Sequence, residues 1–259
     1  MKKITLSLAL LLLAGCVNPY TYYYTSYISD PLPPDLEISN SEPEIIKGSD
    51  IEQDQVRMLE EGFIPLGQSH FISDSASSAQ AIEQAKKIKA SKVLLYQEYE
   101  GTQSGVLPLT TPTINNSTTQ HNGNIRGNGG YANYSGTSTT TTYGQQTTYI
   151  PYSIENYKYL ATYWIRRTYF RLGAHSLELS ADERAAIMSN IGVKVVAVVK
   201  KSPAFYADIF RGDIIKSIAG RKITSIEDMV AALDESSGKD IDIEILRNGV
   251  LIVKKVRIS

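Results

Sequence analysis

The sequence predicts an α+β protein in which a small βαβ-type domain carrying a long polar insert is followed by a small β-barrel with two helices. Three observations carry this expectation. A strand pattern, an amphipathic helix pattern and a second apolar strand follow one another across residues 62–96. Residues 101–150 then lose almost all aliphatic pairs and fill with Thr, Gly, Asn, Ser, Gln and Tyr. From residue 169 to the end, short β-branched runs alternate with turn signals and helix starts. With 259 residues there is room for about two domains.

At the amino end, Lys2 and Lys3 precede an apolar run over residues 4–13 that is too short to span a bilayer and closes in small residues, the pattern of an export signal. The ending Leu13-Ala14-Gly15-Cys16 resembles the bacterial lipobox. That resemblance implies a lipoprotein signal peptide over residues 1–15 and a diacylglycerol on the thiol of Cys16. Each buried methylene contributes about 0.8 kcal/mol, so two or three acyl chains anchor stably where one does not. The mature chain is expected to sit on a membrane without crossing it. Val17, where Asp would signal inner-membrane retention, points to the outer membrane of a two-membrane host. The periplasmic face of the inner membrane is the alternative. Cys16 is the sole cysteine, so no intramolecular disulfide can form.

Residues 16–48 are rich in Tyr, Pro, Ser and acidic residues without a sustained period, and read as a flexible lipidated tether whose tyrosines could lie at the lipid interface. Residues 49–168 form the expected α+β domain. A weak helical pattern covers 51–61, a short edge-like strand 62–67, and a helix 78–90 with Ala81, Ile82, Ala85 and Ile88 on one face. Val93-Leu94-Leu95-Tyr96 reads as a buried strand, and residues 157–165 alternate like another. The insert 101–150 between them is expected to be the mobile tip of a long hairpin, because its composition buries too little apolar surface to offset ordering. Its Gly127-Asn128-Gly129-Gly130 lacks the Gly-Lys-Ser/Thr ending of a phosphate loop.

In residues 169–259, Ser202-Pro203-Ala204 starts a helix, Gly212-Asp213 turns into Ile214-Ile215, and Gly220 permits a reversal. Ser225 with Asp228 has the spacing of a capping box, and Arg247-Asn248-Gly249 is a hairpin turn. In order and spacing these residues, with Ala207, resemble the bacterial HtrA-type PDZ domain. Asp208 and Ala219 depart from the family, which usually has Gly and often Asn there. The resemblance implies a site for peptide or protein carboxyl ends in the cell envelope, the ligand adding as a strand while loop amides hold its carboxylate. The matching loop is Arg171-Leu172-Gly173-Ala174, with Gly173 giving the carboxylate room and Arg171 a positive field. His175 stands beside it, and Met229, Val230 and Leu233 would close the groove from the helix begun at Ser225.

HtrA proteins are proteases, so a catalytic centre has to be sought. The chain has only His70, His121 and His175; Gly67-Gln68-Ser69-His70-Phe71 starts like a nucleophile elbow but ends in Phe71, and no His-Glu-x-x-His is present. A formal net charge of −1 gives no footprint for nucleic acid. The expectation is a membrane-anchored binding protein, not an enzyme, with no cofactor and no metal. The alternatives are a structural, self-associating surface lipoprotein and a non-catalytic subunit of an envelope protease complex.

Overall fold

The computed structural model describes residues 17–29 and 31–259; Cys16 and the signal segment lie outside the described residues. The chain is α+β. Its amino-terminal body is built from α1 (Pro19–Tyr22), β1 (Tyr24–Ser26), β2 (Leu36–Glu37), β3 (Glu44–Lys47), α2 (Ile51–Glu60), β4 (Phe63–Ser73), α3 (Ser78–Lys87), β5 (Lys92–Gly127) and β6 (Gly130–Arg167). The strand order is β1-β4-β6-β5-β3, with β2 also on β6. β3 runs parallel to β5, and β4 antiparallel to β6. The strand expected at an edge over 62–67 is therefore internal, longer, and shifted in register next to Pro65, which has no N–H to donate.

Alternation along the strands sends neighbours to opposite faces. Val93, Ile64 and Tyr163 pack with Ala81 and Ala85 of α3, whereas Leu94, Phe63 and Trp164 pack with Met58 of α2. Ser77 and Gln80 form a reciprocal capping box that starts α3.

Two expectations are corrected in this body. Residues 17–48 are not a flexible tether: Asn18 caps α1, Tyr20 is 2% exposed and meets Phe71 edge-on at 4.9 Å, and Ser69 Oγ donates to Tyr20 O at 2.6 Å. Tyr20, with the partly buried Tyr24 edge-on to Tyr163 at 5.6 Å, brings the buried aromatic surface that orders a segment with no helical or strand period. The long hairpin expected around 101–150 is present, but the polar segment is part of its two strands and not an insert at its tip. β5 and β6 continue through it to a turn at Asn128-Gly129, and Tyr99–Asn156 forms a unit of its own. Thr and Tyr suit a pleated strand, and side-chain pairs such as Thr110 Oγ1 with Thr147 Oγ1 at 3.0 Å link the two strands where aliphatic burial does not.

The carboxy-terminal body comprises β7 (Ala174–Glu178), α4 (Ala181–Ala186), β8 (Val193–Val198), α5 (Pro203–Tyr206), β9 (Ile214–Ile218), β10 (Arg221–Lys222), α6 (Ile226–Glu235), β11 (Asp240–Arg247) and β12 (Val250–Arg257). Its sheet has the order β12-β11-β9-β8-β7, with β10 on β9, around a core that includes Val193, Val195, Ile215, Ile218, Ile243 and Ile245. Ser202 and Ser225 cap α5 and α6 by accepting from Phe205 and Asp228 N–H. The second half of the Ser225 box is absent, because the Asp228 carboxylate bonds Thr224 instead. Asp208 and Ala219, the two departures from the family pattern, both hold left-handed backbone, at φ 54° and 48°. This body and the amino-terminal sheet belong to one unit, joined by Lys200 N–H donating to Glu60 O at 2.8 Å and by Arg211 with Glu52 at 3.0 Å.

Candidate functional site

β7 ends its sheet, so among the described strands it is paired on one edge, with β8. α6 lies alongside, and a groove of about 560 Å³ runs between them. All eight residues expected at a peptide site line it: Arg171, Leu172, Gly173, Ala174 and His175 from the loop and β7, and Met229, Val230 and Leu233 from α6. Their contributions differ. Leu172 is 2% exposed, and its side chain belongs to the core. Met229 and Leu233 are buried in the same core and form the floor and wall together, while Val230 is 46% exposed on the rim.

The loop is oriented by its carbonyls. Ser259 N–H donates to Arg171 O at 3.2 Å, Ala204 N–H to Leu172 O at 2.8 Å and Val199 N–H to Gly173 O at 2.8 Å. With three consecutive carbonyls held by the body of the domain, none of the described residues accepts from the N–H of Leu172 or Gly173. Such successive unpaired amides form an anion-binding concavity.

Gly173 has a different reason from the one expected. Its φ is +78°, and a Cβ there would stand 2.2 Å from Ser202 Cβ. The glycine is needed for packing against the cap of α5, not only to admit a ligand. Arg171 is also differently placed: its guanidinium is ion-paired with Asp234 near the end of α6, so part of its charge is already matched. His175 is half-buried, edge-on to Phe170 at 6.1 Å, with Nε2 enclosed and unpartnered. Burial, helped by the nearby Arg167 charge, pushes its pKa down to about 4, so the ring is neutral at ordinary pH.

Sequence reasoning missed Asp35, Arg167, Tyr169 and Phe170, which also line the groove. Arg167 Nε meets Asp35 Oδ2 at 2.7 Å, bringing the amino-terminal body into the site. Asp35 lies in the segment read as a tether, and nothing local marks it; Phe170 adjoins the loop and was within reach. Ser69, the serine of the partial elbow, is buried within β4 and bonded to Tyr20 O. Among the described residues no cluster of three or more His, Cys, Asp or Glu is placed to hold a metal.

The sheet ends in an open edge beside a helix and a loop, and residues 194–247 match the family model described as PDZ domain. The carboxy-terminal body is a PDZ domain. Over 90 residues the chain is 36% identical to the pro-apoptotic serine protease NMA111 of Saccharomyces cerevisiae, a match covering 34% of this chain and 9% of the relative. The chain thus spans less than a tenth of that relative's length. Among solved structures it is similar to a variant of the HtrA-type protease AlgW with a decapeptide, at 19% identity over 38% of this chain and 36% of that one, with a TM-score of 0.33. It is also similar to the HtrA3 PDZ domain bound to a phage-derived ligand (FGRWV), at 19% identity over 34% of this chain and 83% of that one, with a TM-score of 0.31.

Proposed function

We propose that this protein is a lipid-anchored, non-catalytic binding protein of the bacterial envelope that captures peptide or protein carboxyl ends between β7 and α6. One observation carries the reading: among the described residues the Leu172 and Gly173 amides have no acceptor, and they stand at the head of a strand edge with no described neighbour. A ligand carboxylate accepts from those amides, its strand adds to β7, and its last side chain rests against Met229 and Leu233. The Leu13-Ala14-Gly15-Cys16 ending supports the anchor, in the outer membrane or alternatively on the periplasmic face of the inner one. Among the described residues no helix is long and apolar enough to cross a membrane. A second reading, a non-catalytic subunit of an envelope protease complex, is favoured by the serine-protease relative matched over 90 residues.

Screening the chain from Val17 onward against peptide carboxyl ends, then amidating the best binder, tests the groove. Loss of charge-assisted hydrogen bonds should weaken binding by roughly 10- to 100-fold. Equal affinity for both forms would contradict it. Replacing Cys16 with Ser and fractionating cells tests the anchor: labelled acyl chains and membrane partition should both be lost.

A further inference from the structure

The unit Tyr99–Asn156 has open sheet edges that the groove does not use. β5 pairs with β3 only at residues 92–95, and β6 pairs with β4 at 157–166 and with β2 at 166–167. Between those stretches each strand has only the other beside it among the described strands. Each runs for about 90 Å at ~3.3 Å per residue, with a row of outward N–H and C=O groups on its far side.

Exposed edges are normally blunted by lysines, other charges, prolines or brevity. Here, Arg126 aside, those devices are confined to the base and shoulders of the ribbon, at Glu98, Glu100 and Glu155 and at Pro108, Pro112 and Pro151. Residues 101–150 contain one Lys, Arg, Asp or Glu side chain, that of Arg126, and no proline lies between Pro112 and Pro151. Ile125, Tyr134, Tyr143 and Tyr149 stand more than half exposed on the ribbon. A two-stranded ribbon in water is marginal by itself, and a third strand is the usual remedy.

We propose that the ribbon is a strand-pairing surface for a second copy of this chain, the β5 edge of one copy lying beside the β6 edge of the next. The near absence of charge argues for this occupant. A strongly charged partner finds no complement here, whereas two copies bring no repulsion and edges of matching length. Thr and Tyr then pair across the new junction as they do within the ribbon. Because the two edges differ, the contact is head-to-tail, and it continues until a ring closes or a filament grows. The inference is independent of the peptide groove.

Sedimentation velocity on the chain from Val17 onward, free of lipid, tests it across micromolar to millimolar concentration. The full ribbon should shift from monomer to oligomer as concentration rises. A variant with residues 103–152 replaced by an Asn-Gly turn should stay monomeric, as should Thr118→Lys with Thr140→Lys, which charges the strands while leaving both bodies untouched. Circular dichroism and peptide binding report that the variants are folded. A full ribbon that stays monomeric throughout, or a shortened chain that associates equally well, would overturn the proposal.

Discussion

Asp213 and Arg247 hold together two turns that lie far apart in sequence. Arg247 Nε and Nη2 each donate to an Asp213 carboxylate oxygen at 2.7 Å, Nη2 also reaches Asp208 O at 2.7 Å, and the guanidinium lies 4.4 Å from the Phe210 ring centre. Asp213 is buried, and removing it leaves Phe210 N–H without its acceptor and takes the carboxylate from a guanidinium that keeps Asp208 O and the Phe210 ring. Asp213→Ala should cost about 3–5 kcal/mol, read as a lower urea midpoint. Ala219 runs the other way. It holds φ 48° in an exposed turn, where a Cβ is unfavourable, and Ala219→Asn should raise stability by about 0.5–1 kcal/mol. His175 makes stability depend on pH. Its folded pKa of about 4 lies below the ordinary 6.5, so its contribution is complete above about pH 6.5 and is lost as pH falls towards 4. The loss should be on the order of 2 kcal/mol, and His175→Gln should flatten that part of the profile. At the groove mouth, Asp234→Asn removes a carboxylate that competes with the ligand for Arg171, and should tighten peptide binding roughly two- to fivefold by calorimetry.

At the level of elements, α1 and β1 decide whether residues 17–29 matter to the fold. Tyr20 fills the space between α1 and β4, so Tyr20→Ala should lower stability by about 3–5 kcal/mol; a tether residue would cost nothing in the same urea titration. The sequence could not show this, because a four-residue helix and a three-residue strand are too short to establish a period. Elements with local signatures were legible. The Ala81 and Ala85 stripe, the Val93 and Leu94 strand, and the Asn248-Gly249 turn each announce themselves within one or two turns of chain. The ribbon misled for another reason: low aliphatic content argues against a core, but backbone pairing and Thr side chains need none. In the groove, the loop and α6 were named through the resemblance of the turn pattern to the PDZ domain, whose turns sit at fixed intervals. The partners of those residues were not legible. Asp234 for Arg171, Ser202 against Gly173 and Asp35 for Arg167 are contacts across 29 to 132 positions.

Across the whole molecule, the amino-terminal sheet supports the PDZ domain and also contributes to its groove. Asp35 and Arg167 line the cleft, and Lys200 and Arg211 tie the two bodies together. A chain anchored at Cys16 would therefore present its groove from a fixed base and not from the end of a loose spacer. The central claim is that the amides of Leu172 and Gly173 receive a ligand carboxylate, and the nitrogen-15 amide resonances of the full folded chain from Val17 onward report on them individually. Titration with a bound peptide bearing a free carboxyl end should move the Leu172 and Gly173 proton resonances downfield more than those of the ribbon or α2, and the same peptide with an amidated end should leave them nearly unmoved. Equal shifts with both peptides, or shifts confined to residues outside the groove, would contradict the account.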